Sequence, residues 1–130
     1  MYSKFLLIFI LTLFSCNQVS DDFDVFLDQF SEDKNFQNSR IVFPLKFSTY
    51  PENEDKIKIK YLEKLSHIDF GDDENAMERD YDKYTVEIKK KNDTIILYKR
   101  LGYDNGIDQK FYFNKRGSEW YMVAIDDFSH

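Results

Sequence analysis

The sequence predicts an α+β domain in which N-terminal helices pack on one face of a curved antiparallel sheet. Two observations predict it. Apolar residues recur at helical spacing just after an apolar leader, and the alternation typical of strands dominates the remainder. Aromatic residues make up 18% of the chain, which supplies enough bulk for the core of one small domain.

Residues 1–16 have the pattern of a secretory signal peptide. Lys4 places a positive charge near the start, and an almost wholly apolar run follows from Phe5 to Phe14. A run of this length fits the core of a signal peptide but falls short of the roughly 20 apolar residues that cross a bilayer. We therefore expect the leader to direct export.

The leader ends in Leu13-Phe14-Ser15-Cys16, which resembles the lipobox of bacterial lipoproteins. In that family the cysteine receives a diacylglycerol and becomes the new N-terminus. The resemblance implies a lipid on Cys16, a tether over residues 17–22 and one domain over residues 23–130. Because several acyl chains anchor a protein durably, it also implies a place in the bacterial cell envelope. We expect the outer membrane, at its periplasmic face or at the cell surface.

The composition excludes several functions. The chain has a formal net charge of −6, which disfavours nucleic acid as a partner because phosphate binding needs a basic surface. Cys16 is the only cysteine, so the mature domain has no disulfide, cysteine nucleophile or thiolate metal site. The sequence also lacks a glycine-rich phosphate loop and a dinucleotide fingerprint, and we expect no cofactor.

The first helix is predicted by an apolar stripe whose members lie on one helical face. They are Phe23, Phe26, Leu27 and Phe30. Ser20 is the expected N-cap, and the aspartates that follow it suit the positive end of the helix dipole. A second short helix is predicted from about residue 32 to residue 38, with Phe36 facing inward.

Alternating apolar segments predict six strands. They cover residues 40–47, 56–61, 84–88, 94–101, 111–113 and 120–125. Pro44 indicates an edge strand or a bulge in the first, because proline cannot donate to a ladder. The second should turn its lysines to water, the fourth should be an interior strand, and the last two should form a hairpin. Residues 69–82 are acidic, and we expect a solvated loop there.

Two sets of residues resemble known families. Phe36-Gln37 and Arg40-Ile41-x-Phe43-Pro44-Leu45, behind the lipobox, are similar to a group of small bacterial lipoproteins that carry a domain of unknown function. The last hairpin resembles that of nuclear-transport-factor-2-like domains. The residues that carry this likeness are Phe111, Phe113, Gly117, Trp120, Tyr121 and Asp126. The resemblance implies a cone-shaped fold, with helices against a strongly bent sheet that often encloses a cavity. It implies no activity, because this fold serves enzymes and binding modules alike.

The candidate pocket consists of side chains that could line the mouth of such a cavity. They are Arg40, Tyr98, Tyr112, Trp120 and His67. On a strand, His67 and Asp69 would share a face and could form a proton-transfer pair, and the alternative for His67 is a surface histidine. We expect no metal site, because the acidic runs at Asp69 and Asp104 do not match the spacing of a calcium loop.

Three functional hypotheses follow. The first is a membrane-anchored, non-catalytic module that binds a small molecule, a peptide or another envelope protein. The second is an isomerase-like or dehydratase-like enzyme that uses His67 or a buried aspartate in the cone cavity. The third is a structural module that dimerises through the open sheet face, so we expect a monomer or a homodimer. A deep cavity with convergent ionisable groups would favour the enzyme, and a filled cone would favour binding or assembly.

Overall fold

The computed structural model describes residues 22–70 and 83–130. Within these residues two helices precede six strands. The helices are α1 (Phe23–Glu32) and α2 (Lys34–Ser39), and the strands are β1 (Ile41–Thr49), β2 (Lys58–Leu62), β3 (Tyr84–Asn92), β4 (Ile95–Gly102), β5 (Asp108–Arg116) and β6 (Glu119–Asp127). The predicted leader, Cys16 and the tether up to residue 21 lie outside the described residues, as do residues 71–82.

The strands form one curved sheet in the order β2-β1-β6-β5-β4-β3, with the helices on one face. This confirms the predicted α+β cone architecture. The sheet is antiparallel except for the pair β1 and β6, which is parallel. The parallel pair arises because the first and the last strand of the chain meet inside the sheet, where no hairpin joins them.

Helix α1 begins two residues later than predicted. Asp22, rather than Ser20, is the N-cap, and its side chain accepts a hydrogen bond of 3.0 Å from the backbone N–H of Asp24. Ser20 itself lies outside the described residues. The predicted stripe is confirmed, because all four of its members are buried. They are Phe23, Phe26, Leu27 and Phe30.

The core is an array of aromatic rings between α1 and the sheet. Phe30 and Phe113 are fully buried, and their ring centroids lie 5.6 Å apart in an edge-to-face arrangement. Phe23 contacts the ring of Trp120 in the same way at 5.3 Å. Edge-to-face contacts of this kind add to the stabilisation that burial alone provides.

The bulge predicted at Pro44 is present, but β1 is an interior strand. The register between β1 and β6 shifts between Ile41 and Lys46, and the Phe43–Pro44 peptide bond is cis. Strand β2 pairs with β1 only from Leu45 onward, so Pro44 has no partner in β2 to which it would need to donate. Interior strand β4 and the hairpin of β5 and β6 are confirmed.

The lysines of β2 are exposed, as predicted, but its apolar residues Ile59 and Tyr61 are exposed as well. Lys60 pairs with Phe47, which packs against the core, so Lys58 and Lys60 point to the helix side of the sheet. Ile59 and Tyr61 therefore point to the opposite face, which we call the outer face, and they are 52% and 64% exposed. The alternating pattern correctly separates the residues of β2 into two faces. Neither face is covered, because β2 lies at the edge of the sheet.

Candidate functional site

Among residues 22–70 and 83–130, aromatic side chains occupy the interior of the cone. The ring of Phe70 lies at its centre, with its centroid 5.0 Å from that of Phe111 and 5.1 Å from that of Tyr98. Phe70 is only 6% exposed, although it belongs to the run of residues 69–82 for which the sequence predicts a solvated loop. The prediction is wrong for Phe70. Burial of a phenylalanine side chain is favourable even when its neighbours in the sequence are charged.

The segment that carries Phe70 is fixed to α1 by a side-chain hydroxyl. Ser31 donates to a carboxylate oxygen of Asp69 at 2.7 Å, and its oxygen accepts from the backbone N–H of Phe70 at 2.6 Å. Arg100 on β4 donates to the backbone carbonyl of Asp69 from the other side. Asp69 is thus held between helix and sheet, and its carboxylate is engaged by Ser31.

Gln37 joins the two helices to the same segment. Its amide nitrogen donates to the carbonyl oxygens of Phe30 at 2.8 Å and Ile68 at 2.7 Å, and its amide oxygen accepts from the N–H of Ile68 at 2.9 Å. Gln37 is 2% exposed. The buried amide therefore satisfies three backbone groups that would otherwise lack partners. This gives a structural role to a residue of the Phe36-Gln37 motif.

Arg100 is a buried cation among aromatic rings, and sequence reasoning missed it. Its guanidinium carbon lies within 6 Å of four ring centroids, at distances of 4.9 to 5.6 Å. The rings belong to Phe70, Tyr84, Tyr98 and Phe111. Its Nε has no hydrogen-bond partner among the described residues. The parity of β4 could have revealed it, because Arg100 continues the buried row of Ile96 and Tyr98.

Of the five predicted pocket residues, the structure brings Arg40 and Trp120 together. Arg40 donates from Nη1 to the carbonyl oxygen of Trp120 at 3.4 Å and forms an ion pair with Glu119 at 3.3 Å. Its guanidinium also lies over the ring of Phe36, 4.7 Å from the centroid. Arg40 therefore closes the rim between α2 and the sheet.

Trp120 lies beneath the start of α1 and lines two open grooves. One groove measures about 460 Å³ and is also lined by Lys90, Lys115 and Asp93. The other measures about 270 Å³ and is also lined by Arg40. The indole Nε1 is buried and has no hydrogen-bond partner among the described residues. Both grooves mix acidic and basic side chains.

Tyr98 and Tyr112 lie on opposite faces of the sheet. Tyr98 is 2% exposed within the aromatic core. Tyr112 pairs with Leu97 and Ala124 on the outer face, and its hydroxyl donates to a carboxylate oxygen of Asp126 at 2.7 Å. Burial and this hydrogen bond raise the pKa of the Tyr112 phenol to about 12. The phenol is thus a poor proton donor at neutral pH.

His67 lies apart from the other four residues. It is exposed, belongs to an irregular segment rather than a strand, and lines a small groove with Asn35 and Leu65. The strand geometry that would have placed His67 and Asp69 on one face is therefore missing. Within residues 22–70 and 83–130, no group of three or more histidine, cysteine or acidic side chains is placed to hold a metal ion.

An apolar groove of about 580 Å³ lies at the start of β2. It is lined by Tyr50, Ile57, Phe128, Glu52 and His130. Tyr50 and Ile57 are 47% and 55% exposed. This groove continues the apolar row formed by Ile59 and Tyr61 on the outer face. Exposed apolar side chains of the described residues therefore lie at the β2 edge, and a second set lies at or near the opposite edge of the sheet, at Val86, Ile88, Leu101 and Tyr103.

Comparison with solved structures supports the fold. An NTF2-like protein from Bacteroides fragilis aligns with a TM-score of 0.56 and 24% identity, over 81% of this chain and 46% of that one. A cystatin-like protein from Bacteroides caccae aligns with a TM-score of 0.56 and 20% identity, over 80% of this chain and 74% of that one. The chain thus spans less than half the length of the first protein.

No protein-family model and no curated protein matches the sequence. The structural likeness therefore shows a nuclear-transport-factor-2-like α+β fold and carries no activity with it. Neither helix of the described residues is long and apolar enough to cross a membrane.

Proposed function

We propose that the protein is a lipid-anchored interaction module of the bacterial cell envelope, which binds a partner through the exposed surface of its sheet. The observation that carries the proposal is the filled cone. Rings of Phe30, Phe70 and Phe113 occupy the space between helix and sheet, where an enzyme of this fold would need a cavity. This arrangement of the described residues favours a binding module over an isomerase or dehydratase.

The distribution of exposed apolar residues supports the same proposal. Three apolar side chains at the β2 edge are each more than half exposed, namely Ile57, Ile59 and Tyr61. Ile57 also lines the open groove described above. Contiguous exposed apolar surface of this kind is typical of an interaction site. The lipobox at Cys16 supports the anchor, because a tethered domain meets its partners at a membrane surface.

Replacement of the lipobox cysteine tests the anchor. The full chain with Cys16→Ser should move from the membrane pellet to the soluble fraction when host cells are fractionated, because it can no longer be acylated. Asn17→Ser is the matched control, since it introduces the same residue one position later and should stay in the pellet. Equal membrane partitioning of the Cys16→Ser and control proteins would contradict the anchor.

Native mass spectrometry of the full chain, extracted gently from host membranes, tests the filled cone. We expect the mass of the acylated protein without a small organic ligand, because aromatic rings of the described residues occupy the space between helix and sheet. A stoichiometric small molecule that survives extraction and is lost when the core is mutated would contradict the proposal and favour a cavity.

A further inference from the structure

Strand β2 offers an open backbone edge. It is the terminal strand of the sheet, and on its outer side it has no neighbouring strand among residues 22–70 and 83–130. Four of its five residues are exposed. An exposed edge presents unpaired N–H and C=O groups that can pair with an extended segment of another chain.

The side chains of this edge are sorted by charge. Lys58 and Lys60 lie on the helix side of the sheet, where the Lys60 ammonium is 5.2 Å from the centroid of the Phe47 ring. Ile59 and Tyr61 lie on the outer face. The edge therefore carries a cationic row on one side and an apolar row on the other, although the whole chain has a net charge of −6.

Two kinds of occupant fit this edge poorly. Antiparallel pairing with the β2 strand of a second copy would place lysines opposite lysines, and like charges directly opposite each other destabilise a sheet. Direct insertion of the edge into a lipid surface would leave its unpaired backbone groups in hydrocarbon, which is costly. An extended peptide avoids both problems, because it pairs the backbone and can supply the opposite charge.

We propose that the β2 edge binds, by strand addition, an extended segment of another envelope protein in which acidic and apolar residues alternate. The inference rests on the proposed interaction role but not on the lipid anchor. The acidic residues of the segment pair with Lys58 and Lys60, and its apolar residues pack on Ile59 and Tyr61. One further apolar residue enters the groove beside Ile57.

Synthetic peptides test the proposal with the full chain in detergent micelles. The probe is a fluorescent hexapeptide in which glutamate and valine alternate, titrated at low salt and followed by fluorescence anisotropy. A peptide of the same composition with the three glutamates grouped together is the first control. We expect the alternating peptide to bind at least about tenfold more tightly, and its affinity to fall as salt screens the lysines.

Two further peptides test strand addition itself. Each carries N-methyl groups on alternate residues, along one or the other backbone edge. Because an added strand pairs through one edge only, one methylated peptide should lose binding and the other should keep it within about threefold. Equal behaviour of the two peptides would overturn strand addition, whatever the charge dependence.

Charge reversal locates the site. The double variant Lys58→Glu with Lys60→Glu should lose at least about tenfold in affinity for the glutamate peptide and gain affinity for a peptide in which lysine and valine alternate. The matched control is Lys89→Glu with Lys91→Glu, which makes the same charge change on the edge strand at the opposite end of the sheet. It should leave the affinity within about twofold.

Three results would overturn the inference. They are no binding of the alternating peptide up to about 1 mM, an equal loss in the two double variants, and binding of anionic phospholipid vesicles that depends on Lys58 and Lys60 while the peptide does not bind. None of these results depends on acylation, because micelles replace the membrane. Failure of the anchor would appear only in the Cys16→Ser fractionation.

Discussion

The two faces of the sheet use the same kinds of residue in opposite ways. On the helix side, Phe113 and Trp120 are buried beneath the rings of α1. On the outer face, Ile59 and Tyr61 stand open at the β2 edge. The difference shows that apolar content alone does not mark a core. The rings on the helix side stabilise the fold, and the outer face at the β2 edge is the surface that we propose for recognition.

The largest expected effect separates a buried from an exposed residue of the same helix. Phe26→Ala should lower the free energy of unfolding by about 3–5 kcal/mol, because Phe26 packs against the rings of Phe30 and Phe113 and its removal leaves a cavity. Chemical denaturation monitored by circular dichroism measures the loss.

Val25→Ala on the same helix is the matched control for Phe26→Ala. Val25 is 54% exposed, so its truncation should change the free energy of unfolding by no more than about 0.5 kcal/mol. A loss below about 1 kcal/mol for Phe26→Ala, or equal losses for the two variants, would place α1 outside the core. The helix side of the sheet would then be no better covered than the outer face.

The second effect concerns the segment that fills the cone. Gln37→Met keeps the shape of the side chain but removes hydrogen bonds to backbone groups of Phe30 and Ile68, which should cost about 1–3 kcal/mol of stability. Gln29→Met replaces an exposed glutamine of α1 and should cost much less. If thermal unfolding shows the same midpoint for both variants, Gln37 does not hold the Phe70 segment in place.

The sequence predicted those parts of the fold in which a periodic pattern and burial agree. The stripe of α1 and the nearly continuous apolar run of β4 each extend over several residues, so one exception does not obscure them. The last hairpin was predicted for the same reason, with Gly117 in its turn at a φ of +63°. The parallel pairing of β1 with β6 was missed because the two strands are far apart in the chain.

The candidate site was harder to predict, because its residues lie where patterns are weak. Phe70 is one aromatic residue next to acids, and a single residue has no period. Arg100 carries a charge, which favours an exposed position unless the parity of its strand is followed. Ile59 and Tyr61 alternate with lysines as core residues do, but only the position of β2 at the edge decides that they are exposed. Position in the sheet is a property of the whole chain and not of the segment.

The smallest expected effect lies on the outer face and depends on pH. The pKa of Tyr112 is raised from 10.0 to about 12, first by burial and then by its hydrogen bond to Asp126. A raised pKa means that the folded state holds the phenolic proton more tightly than the unfolded state. The stability that this provides is complete below pH 10 and is lost as the pH rises from about 10 to about 12.

Tyr112→Phe should therefore flatten the decline of the unfolding midpoint in that window, whereas Tyr103→Phe, at an exposed tyrosine, should leave it unchanged. An ultraviolet titration of the folded protein should also lose one tyrosine step near pH 12 in Tyr112→Phe and not in Tyr103→Phe. If that step persists, Tyr112 is not shielded from water. The outer face would then be as open at Tyr112 as it is at the β2 edge.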